Sequence, residues 1–470
     1  MPKVAFHTLG CKVNFYDTEG IWQVFKRNGY TQVPFEDEAD VYVVNTCTVT
    51  HGGDKKSRQM IRRAVRTNPD SVVVVTGCYA QIAPEEIARI EGVDLVIGND
   101  KKSKIVDYVE DVRREQNPFQ VVGNILKTRE FEELDVPYFE ERTRANLKIQ
   151  DGCNNFCTFC IIPWARGLIR SRKPEKIVAQ ARKLARAGYR EIILTGIHTG
   201  GYGADLDGYR LAHLLQDLEQ VEGLYRVRIS SIEASEIDDE LIEVLGRSTQ
   251  VVNHLHIPLQ AANNQILKKM NRHYTQEEFA EKLAKLRQAL PDLAITSDVI
   301  VGFPGETDEF FEDTYEFIKR EKFSQLHVFP YSKRRGTPAA KFPDQVREDI
   351  KHERVERLIA LSETLTASYA ARFAGNEIEV IAESPIALAD DETRHHLGHH
   401  PLASRMVVGH ADNYLKVAFS VPDHVDMERV IGEVTRVRVN QTGAHLQVGE
   451  MVAQVTVAED TEERLRRLSS

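Results

Sequence analysis

Three cysteines, Cys153, Cys157 and Cys160, fall within eight positions of the run DGCNNFCTFCIIPWARG, residues 151–167, in a C-x3-C-x2-C spacing. Structural zinc usually takes four ligands in paired C-x2-C spacings, and the chain has no second pair. Iron–sulfur clusters are held by cysteine thiolates, normally four per cluster, so a triplet leaves one iron open to a small molecule. The other three cysteines, Cys11, Cys47 and Cys78, lie far apart, yet share one context. Each follows a strand-like run, VAFHTLG, VYVVNT or VVVVTG, by no more than two residues. Parallel strands of one sheet bring their carboxyl ends to a single edge, where open α/β folds bind ligands. Three distant cysteines therefore converge there, and the expectation is a second cluster that also has one open iron.

The elements that must position these residues form three regions. At 470 residues the chain is long enough for about three domains. Residues 1–125 alternate short apolar strands with amphipathic helices, which predicts a doubly wound parallel sheet covered on both faces. Residues 126–145 are acidic, lack a core pattern and read as a linker. Residues 146–375 repeat a βα unit six times and end in a mixed-charge helix at about 346–374. Six units are too few for an eight-stranded barrel, so a partial barrel is expected, with its chemistry at the carboxyl ends of the strands. That region's first long helix has Pro174 near its start and Gly188 after its end, the usual asymmetry of helix signals. Residues 376–455 carry five short alternating strands broken by Gly and Pro, as in a small five-stranded barrel. A charged tail, 456–470, reads as a short helix. His395, His396, His399 and His400 could bind metal but read better as a solvated loop.

Composition narrows the setting. Apolar content of 42% and charge of 28% are those of a globular chain. No apolar run approaches the roughly 20 residues of a membrane span, and the start, MPKVAFHTLGC, reads directly into a strand rather than an export signal. A cytoplasmic location is expected, with no membrane partner. There, six cysteines are ligands or catalysts sooner than disulfides.

The local sequences resemble the methylthiotransferase branch of the radical SAM enzymes. LGCKVN, VVNTCTVT and VTGCYAQ are similar to its N-terminal cluster motifs, and CNNFCTFCIIPWARG to its radical SAM loop. HLHIPLQ, KKMNRHYT, SDVIVGFPGET and FPYSKRRGTPAA continue the likeness over nearly the whole chain. The third region resembles a TRAM domain, a small RNA-binding β-barrel. TLGCKVN, TGIHTGGYGAD and FPYSKRRGTPAA look most like the type that converts N6-threonylcarbamoyladenosine beside the tRNA anticodon to its 2-methylthio form. The resemblance implies an α/β chain in three parts: an N-terminal methylthiotransferase domain, a partial (β/α)6 radical SAM barrel and a TRAM barrel. It implies two 4Fe-4S clusters, an auxiliary one on Cys11, Cys47 and Cys78 and a radical SAM one on Cys153, Cys157 and Cys160. S-adenosyl-L-methionine would serve as methyl donor and as radical source, and an external donor would supply electrons. The radical removes hydrogen from C2 of the adenine, and the methylthio group is added there.

Under the same resemblance Phe159 packs near the adenine of S-adenosylmethionine. Gly196, Ser231, Glu233, Gln260 and Gly302 ring it at the strand ends, with Ser231 and Glu233 suited to ribose hydroxyls. Two departures stand near these loops: LQAANNQIL where LQSGSD is usual, and Phe15 where glutamine is common.

The net charge of −10 does not exclude RNA, because cations cluster. Arg166, Arg170, Arg172 and Lys173 begin one patch, and Lys55, Lys56, Arg58, Arg62, Arg63 and Arg66 form another. Arg334 and Arg335 add a third, and Arg436 and Arg438 stand on one side of TRVRVN. Such residues position phosphates of a tRNA anticodon stem-loop, with the target base unstacked. Other readings are the same chemistry on isopentenyladenosine, a methyltransferase whose auxiliary cluster relays electrons, or a non-catalytic zinc- and RNA-binding protein.

Overall fold

The structure is a computed structural model that describes residues 1–49, 51–115, 119–139, 143–389, 391–397 and 405–455. The N-terminal unit is a six-stranded parallel sheet: β1 (Lys3–Thr8), β2 (Thr31–Val33), β3 (Val41–Thr46), β4 (Val72–Gly77), β5 (Leu95–Ile97) and β6 (Phe119–Val121), ordered β2-β1-β3-β4-β5-β6. Helices α1 (Lys12–Arg27), α2 (His51–Thr67), α3 (Cys78–Ile82), α4 (Pro84–Ala88) and α5 (Ile105–Glu115) cover its two faces. Every residue of β3 and β4 is buried. That is why VYVVNT and VVVVTG are rich in valine along their length rather than alternating apolar with exposed polar residues.

The second unit begins with β7 (Ala145–Lys148), β8 (Gln150–Asp151), α6 (Ile162–Arg166), β9 (Arg170–Ser171) and α7 (Pro174–Arg186). It continues through β10 (Glu191–Thr195), α8 (Leu211–Glu219), β11 (Arg226–Ile229), α9 (Asp239–Arg247), β12 (His254–His256), α10 (Asn264–Lys269) and α11 (Gln276–Ala289). It closes with β13 (Ala294–Val301), α12 (Asp308–Glu321), β14 (Gln325–Pro330) and α13 (Glu348–Ala371). Two parallel sheets, β7-β10-β11 and β12-β13-β14, meet through single bridges at Val227–Val251 and Ser231–His256, giving the open six-stranded barrel that the sequence predicts. Outward side chains such as Ile192, Leu255 and Val299 join the helices in one large core, and many of the inward ones, such as Glu191, Arg228, His256 and Asp298, are polar.

The third unit closes β15 (Glu377–Pro385), β16 (Met406–Ala411), β17 (Lys416–Ser420), β18 (Val434–Gln441) and β19 (Gln447–Gln454) into a barrel ordered β15-β16-β17-β19-β18, with α14 (Asp391–Leu397) between β15 and β16. It caps the amino ends of the large barrel's strands. The tip of its β16–β17 hairpin enters the lumen, where Tyr414 stacks on His254 at 4.5 Å beneath Arg228. Around it Arg190 meets Glu433 at 2.9 Å, Arg228 meets Glu191 at 2.7 Å and Arg144 meets Glu383 at 2.9 Å.

Two sequence expectations change here. The stretch read as a linker is packed, with Leu134, Val136 and Phe139 buried in the large core, so its few apolar residues suffice to seat it. His395 and His396 lie in α14 rather than in a loop, while His399 and His400 fall outside the described residues. The helix expected over 456–470 also lies outside them. Among the described residues no helix is long and apolar enough to cross a membrane.

Candidate metal centre

Each cysteine of the first triplet sits where a strand of the N-terminal sheet gives way to the next segment. Cys11 caps α1 after β1, Cys47 follows β3 and Cys78 opens α3 after β4. These strands are adjacent in the sheet, so the three thiols share its carboxyl edge. Backbone geometry holds them close. Gly10 adopts φ +103, and a Cβ there would lie 2.9 Å from Cys47 Cβ, while Gly77 (φ +94) would collide with Thr46. Glycine is thus required at both turns.

The second triplet occupies the loop between β8 and α6. Gly152 (φ +77) starts it, and any Cβ there would strike the Leu168 carbonyl. The Cys160 amide donates to the Cys157 carbonyl at 2.9 Å and the Ile162 amide to Cys160 Sγ at 3.4 Å. Two cations flank the sulfurs. Arg272 reaches Cys157 Sγ at 3.5 Å, and His198 bonds Cys153 and lies 2.5 Å from Glu236. Burial opposes a charged His198, but those two partners push it up to about 10.

The donors fit iron–sulfur clusters. Burial pushes the thiol of Cys157 up, Cys47 to about 11 and Cys160 to about 12, so these sites favour a thiolate only when metal balances its charge. In neither triplet do the three sulfurs gather within 4.8 Å of one another. Thiolates on one tetrahedral zinc, each about 2.3 Å from the metal, would stand about 3.8 Å apart.

A buried network runs from Cys78 of the first triplet to Asp151 at the foot of the second triplet's loop. Arg166, at the end of α6, is fully buried. Its Nε donates to Cys78 Sγ at 3.3 Å, and its Nη1 meets Asp17 at 2.8 Å and Asp151 at 3.2 Å, while Nη2 bonds Asn14. Asp17 also takes Lys102 at 2.5 Å and Lys148 at 2.8 Å. Burial would raise both carboxyls, but the surrounding cations hold each well below its ordinary value. Four buried cations, Lys102, Lys148, Arg166 and Arg170, face two fully buried carboxylates, with half-buried Glu132 beside Lys102. That positive excess suits a neighbouring anionic, thiolate-ligated cluster.

Against this geometry the sequence-derived site residues separate. Arg166, Arg170, Arg172 and Arg334 do not present to a surface as expected of RNA contacts. Arg170 bonds the carbonyls of Arg166 and Leu168, Arg172 pairs with Glu133, and Arg334 pairs with Asp54 at 2.8 Å. The reason is positional: these residues follow the cysteine loop or a strand end and satisfy acids of the units that close over it. Lys173, Arg335 and Arg438 are exposed, and Arg436 lines the seam between the two barrels with Arg226 and Asp412. Glu233 is engaged by Arg272, Nη1 to Oε1 at 3.0 Å. Ser231 is exposed at the bridge to His256, and Gln260, at φ +63, pairs its backbone with Asp298 and Ile300. Gly196 lies against Gln150, where a Cβ would come within 2.9 Å of Oε1. Gly302 is demanded by Lys351, whose Cγ would lie 2.3 Å from a Cβ. Phe159 packs edge-on to Phe303 at 6.4 Å. His198, Arg272, Asn14 and Asp151 lie in quoted motifs and Asp17 just beyond one, yet the sequence reading assigns none of them a role. Nothing in one sequence distinguishes such residues from solvated polar ones.

Comparison with known proteins places this arrangement. Residues 147–318 match the family described as the Radical SAM superfamily, and residues 3–98 match the Uncharacterized protein family UPF0004. The chain is 56% identical over the full length of both proteins to the threonylcarbamoyladenosine tRNA methylthiotransferase MtaB of Bacillus subtilis (strain 168). It is 44% identical to the MtaB of Aquifex aeolicus (strain VF5), over 81% of this chain and 92% of that protein. It is 37% identical to a tRNA-2-methylthio-N(6)-dimethylallyladenosine synthase of Thermoanaerobacter sp. (strain X514), over 95% and 92%. Among solved structures, the radical S-adenosylmethionine methyltransferase TsrM of Kitasatospora setae superposes with a TM-score of 0.54 over 72% of this chain and 74% of that one. Its 15% identity is a likeness of fold.

Proposed function

Because the chain belongs to the radical SAM family of threonylcarbamoyladenosine tRNA methylthiotransferases, we propose that it transfers a methylthio group to C2 of N6-threonylcarbamoyladenosine beside the tRNA anticodon. The observation that carries this reading is the presence of two cysteine triplets, one on each catalytic unit, with buried Arg166 running from Cys78 of one to Asp151 at the foot of the other's loop. When bound, two 4Fe-4S clusters and S-adenosylmethionine would supply the electron, the radical and the sulfur and methyl chemistry. Cys11, Cys47 and Cys78 would hold one cluster, and Cys153, Cys157 and Cys160 the other. The protein's own contribution is placement. Arg272 and His198 set cations on the sulfurs of the radical loop, and Gly196, Ser231 and Gln260 form the strand-end rim where S-adenosylmethionine would lie. The small barrel closes the lumen from below, so substrate enters from the carboxyl edge. Three exposed large apolar side chains, Phe15, Val49 and Phe329, stand at or near that edge, suited to an unstacked base. Exposed Lys173, Arg335 and Arg438 would contact phosphates, the electrons would come from a separate donor protein or reductant, and the location would be cytoplasmic.

The test is the nucleoside profile of tRNA from cells with the gene, without it, and complemented by Cys11→Ala or Cys153→Ala. Loss of 2-methylthio-N6-threonylcarbamoyladenosine in the deletion, unrestored by either variant, is the expected result. Loss of the isopentenyl analogue instead would overturn the substrate, and addition of methyl without sulfur would overturn the reaction.

A further inference from the structure

The lumen of the large barrel holds a polar group that the cluster chemistry does not use. His256 on β12, Asp298 on β13 and His327 on β14 present ring nitrogens and a carboxylate oxygen within 4.8 Å of one another. Register places them together: His256 pairs with Thr296, and Asp298 pairs with His327. Alternate residues Leu255, Ile295 and Val299 turn outward into the helix-side core, so this trio faces inward. His256 Nδ1 is fixed by Thr296 Oγ1 at 2.9 Å, and its Nε2 lies 3.3 Å from Asp298. The trio is not sealed. His327 is exposed, and Asp298 and His256 keep 31% and 14% of their side-chain surface. Lys12, the residue after Cys11 at the carboxyl edge of the N-terminal sheet, is exposed and near enough to add a small like-charge effect to the burial that lowers the His327 imidazole. Phe329, two residues beyond His327 on the same strand face, is an exposed aromatic at the mouth.

From this juxtaposition we propose that Lys12, His256, Asp298 and His327 form a subsite that reads the substituent on the adenine N6. The subsite would take a short polar group that carries a carboxylate together with a hydroxyl or urea N–H. It rests on the reading of function above and deepens it. An ammonium and the His327 imidazole N–H match a carboxylate, His256 holds Asp298 in place, Asp298 accepts from the hydroxyl or the urea through its second oxygen, and Phe329 offers a face to the ring. An apolar isopentenyl group in the same place would strip water from these side chains and return no hydrogen bond, so the subsite also rejects it.

The experiment uses the reconstituted, full-length protein under anaerobic conditions and four labelled anticodon stem-loops. They carry N6-threonylcarbamoyladenosine, its methyl ester, isopentenyladenosine or unmodified adenosine, and binding is read by fluorescence anisotropy. The wild-type protein should favour the free acid over the ester by about tenfold or more, the worth of one charge-assisted bond. His327→Phe and Lys12→Met should each collapse that ratio, and His327→Gln should keep part of it. A variant that folds poorly weakens both ligands alike and leaves the ratio intact, which would count against the proposal. A wild-type preference that survives both substitutions overturns the subsite alone. Equal wild-type binding of the threonylcarbamoyl and isopentenyl stem-loops overturns the reading of function beneath it. One equivalent of zinc retained by the wild type and lost in His327→Phe would replace the subsite with a metal site.

Discussion

Arg166 shows how far a single side chain can depart from its sequence-level reading. Beside a cysteine loop at the head of a basic run, it reads as a surface cation. In the fold it is fully buried and donates to Cys78 Sγ. Hydrogen bonds and positive charge at a cluster sulfur favour the reduced, more negative state. Arg166→Ala should therefore lower the reduction potential of the cluster on Cys11, Cys47 and Cys78, on the order of tens of millivolts. Arg166→Lys should restore part of the shift. A potentiometric titration followed by EPR checks it, because damage to the fold alone would broaden or abolish the signal without a directed shift. The strand-end placement of Cys11, Cys47 and Cys78, by contrast, was legible from sequence, because strand-end context is a local property. Arg166 was not, because its partners Asn14, Asp17 and Asp151 come from segments up to 152 positions away.

At the scale of elements, the lumen of the large barrel is layered by charge. β10 and β11 carry Glu191 and Arg228 inward, and Arg144 approaches Glu191 from the segment before β7. Burial alone would raise the Glu191 carboxyl, but Arg228 and Arg144 hold it down to about 2, against an ordinary 4.5. A carboxyl depressed in the fold stabilises it fully above its unfolded value, and the contribution is lost as pH falls from about 4.5 through about 2. Denaturant midpoints of the wild type should therefore drop between pH 6 and pH 3 more steeply than those of Glu191→Gln, which starts lower because it strands two buried arginines. Equal slopes would remove Glu191 from the acid response. The strand and helix pattern of this unit was readable from period and punctuation. The inward polar layers were not, since a charged residue in a short strand reads the same at an edge as in a lumen.

Across the whole molecule, the N-terminal sheet closes on the carboxyl edge of the large barrel and the small barrel closes on the amino edge. RNA then reaches the carboxyl edge beside the N-terminal sheet, whose helix α2 shows exposed cations. Lys55, Lys56, Arg62 and Arg66 on α2 are all exposed. Changing these four to alanine should weaken every stem-loop alike and reduce the slope of log affinity against log salt by about 3, at roughly 0.7–0.9 per phosphate contact. Binding measured from 50 to 300 mM salt checks this. An unchanged slope would place the RNA elsewhere, while a change confined to one stem-loop would assign these residues to base readout.

Fold class and the strand-end positions of Cys11, Cys47 and Cys78 followed from the sequence by itself, because each is written in local signals: apolar runs, helix stops and starts, and thiols just past strand ends. Only the tertiary structure decided which charges are working parts. Arg166, Arg170, Arg172 and Arg334 became buried partners of distant acids, the acidic stretch 126–145 became packing, and His256, Asp298 and His327 came together from three strands. The physical reason is that burial and ion pairing depend on what lies opposite in space. A sequence states the identity of a charge and its neighbours along the chain, and leaves its neighbours across the sheet to the fold.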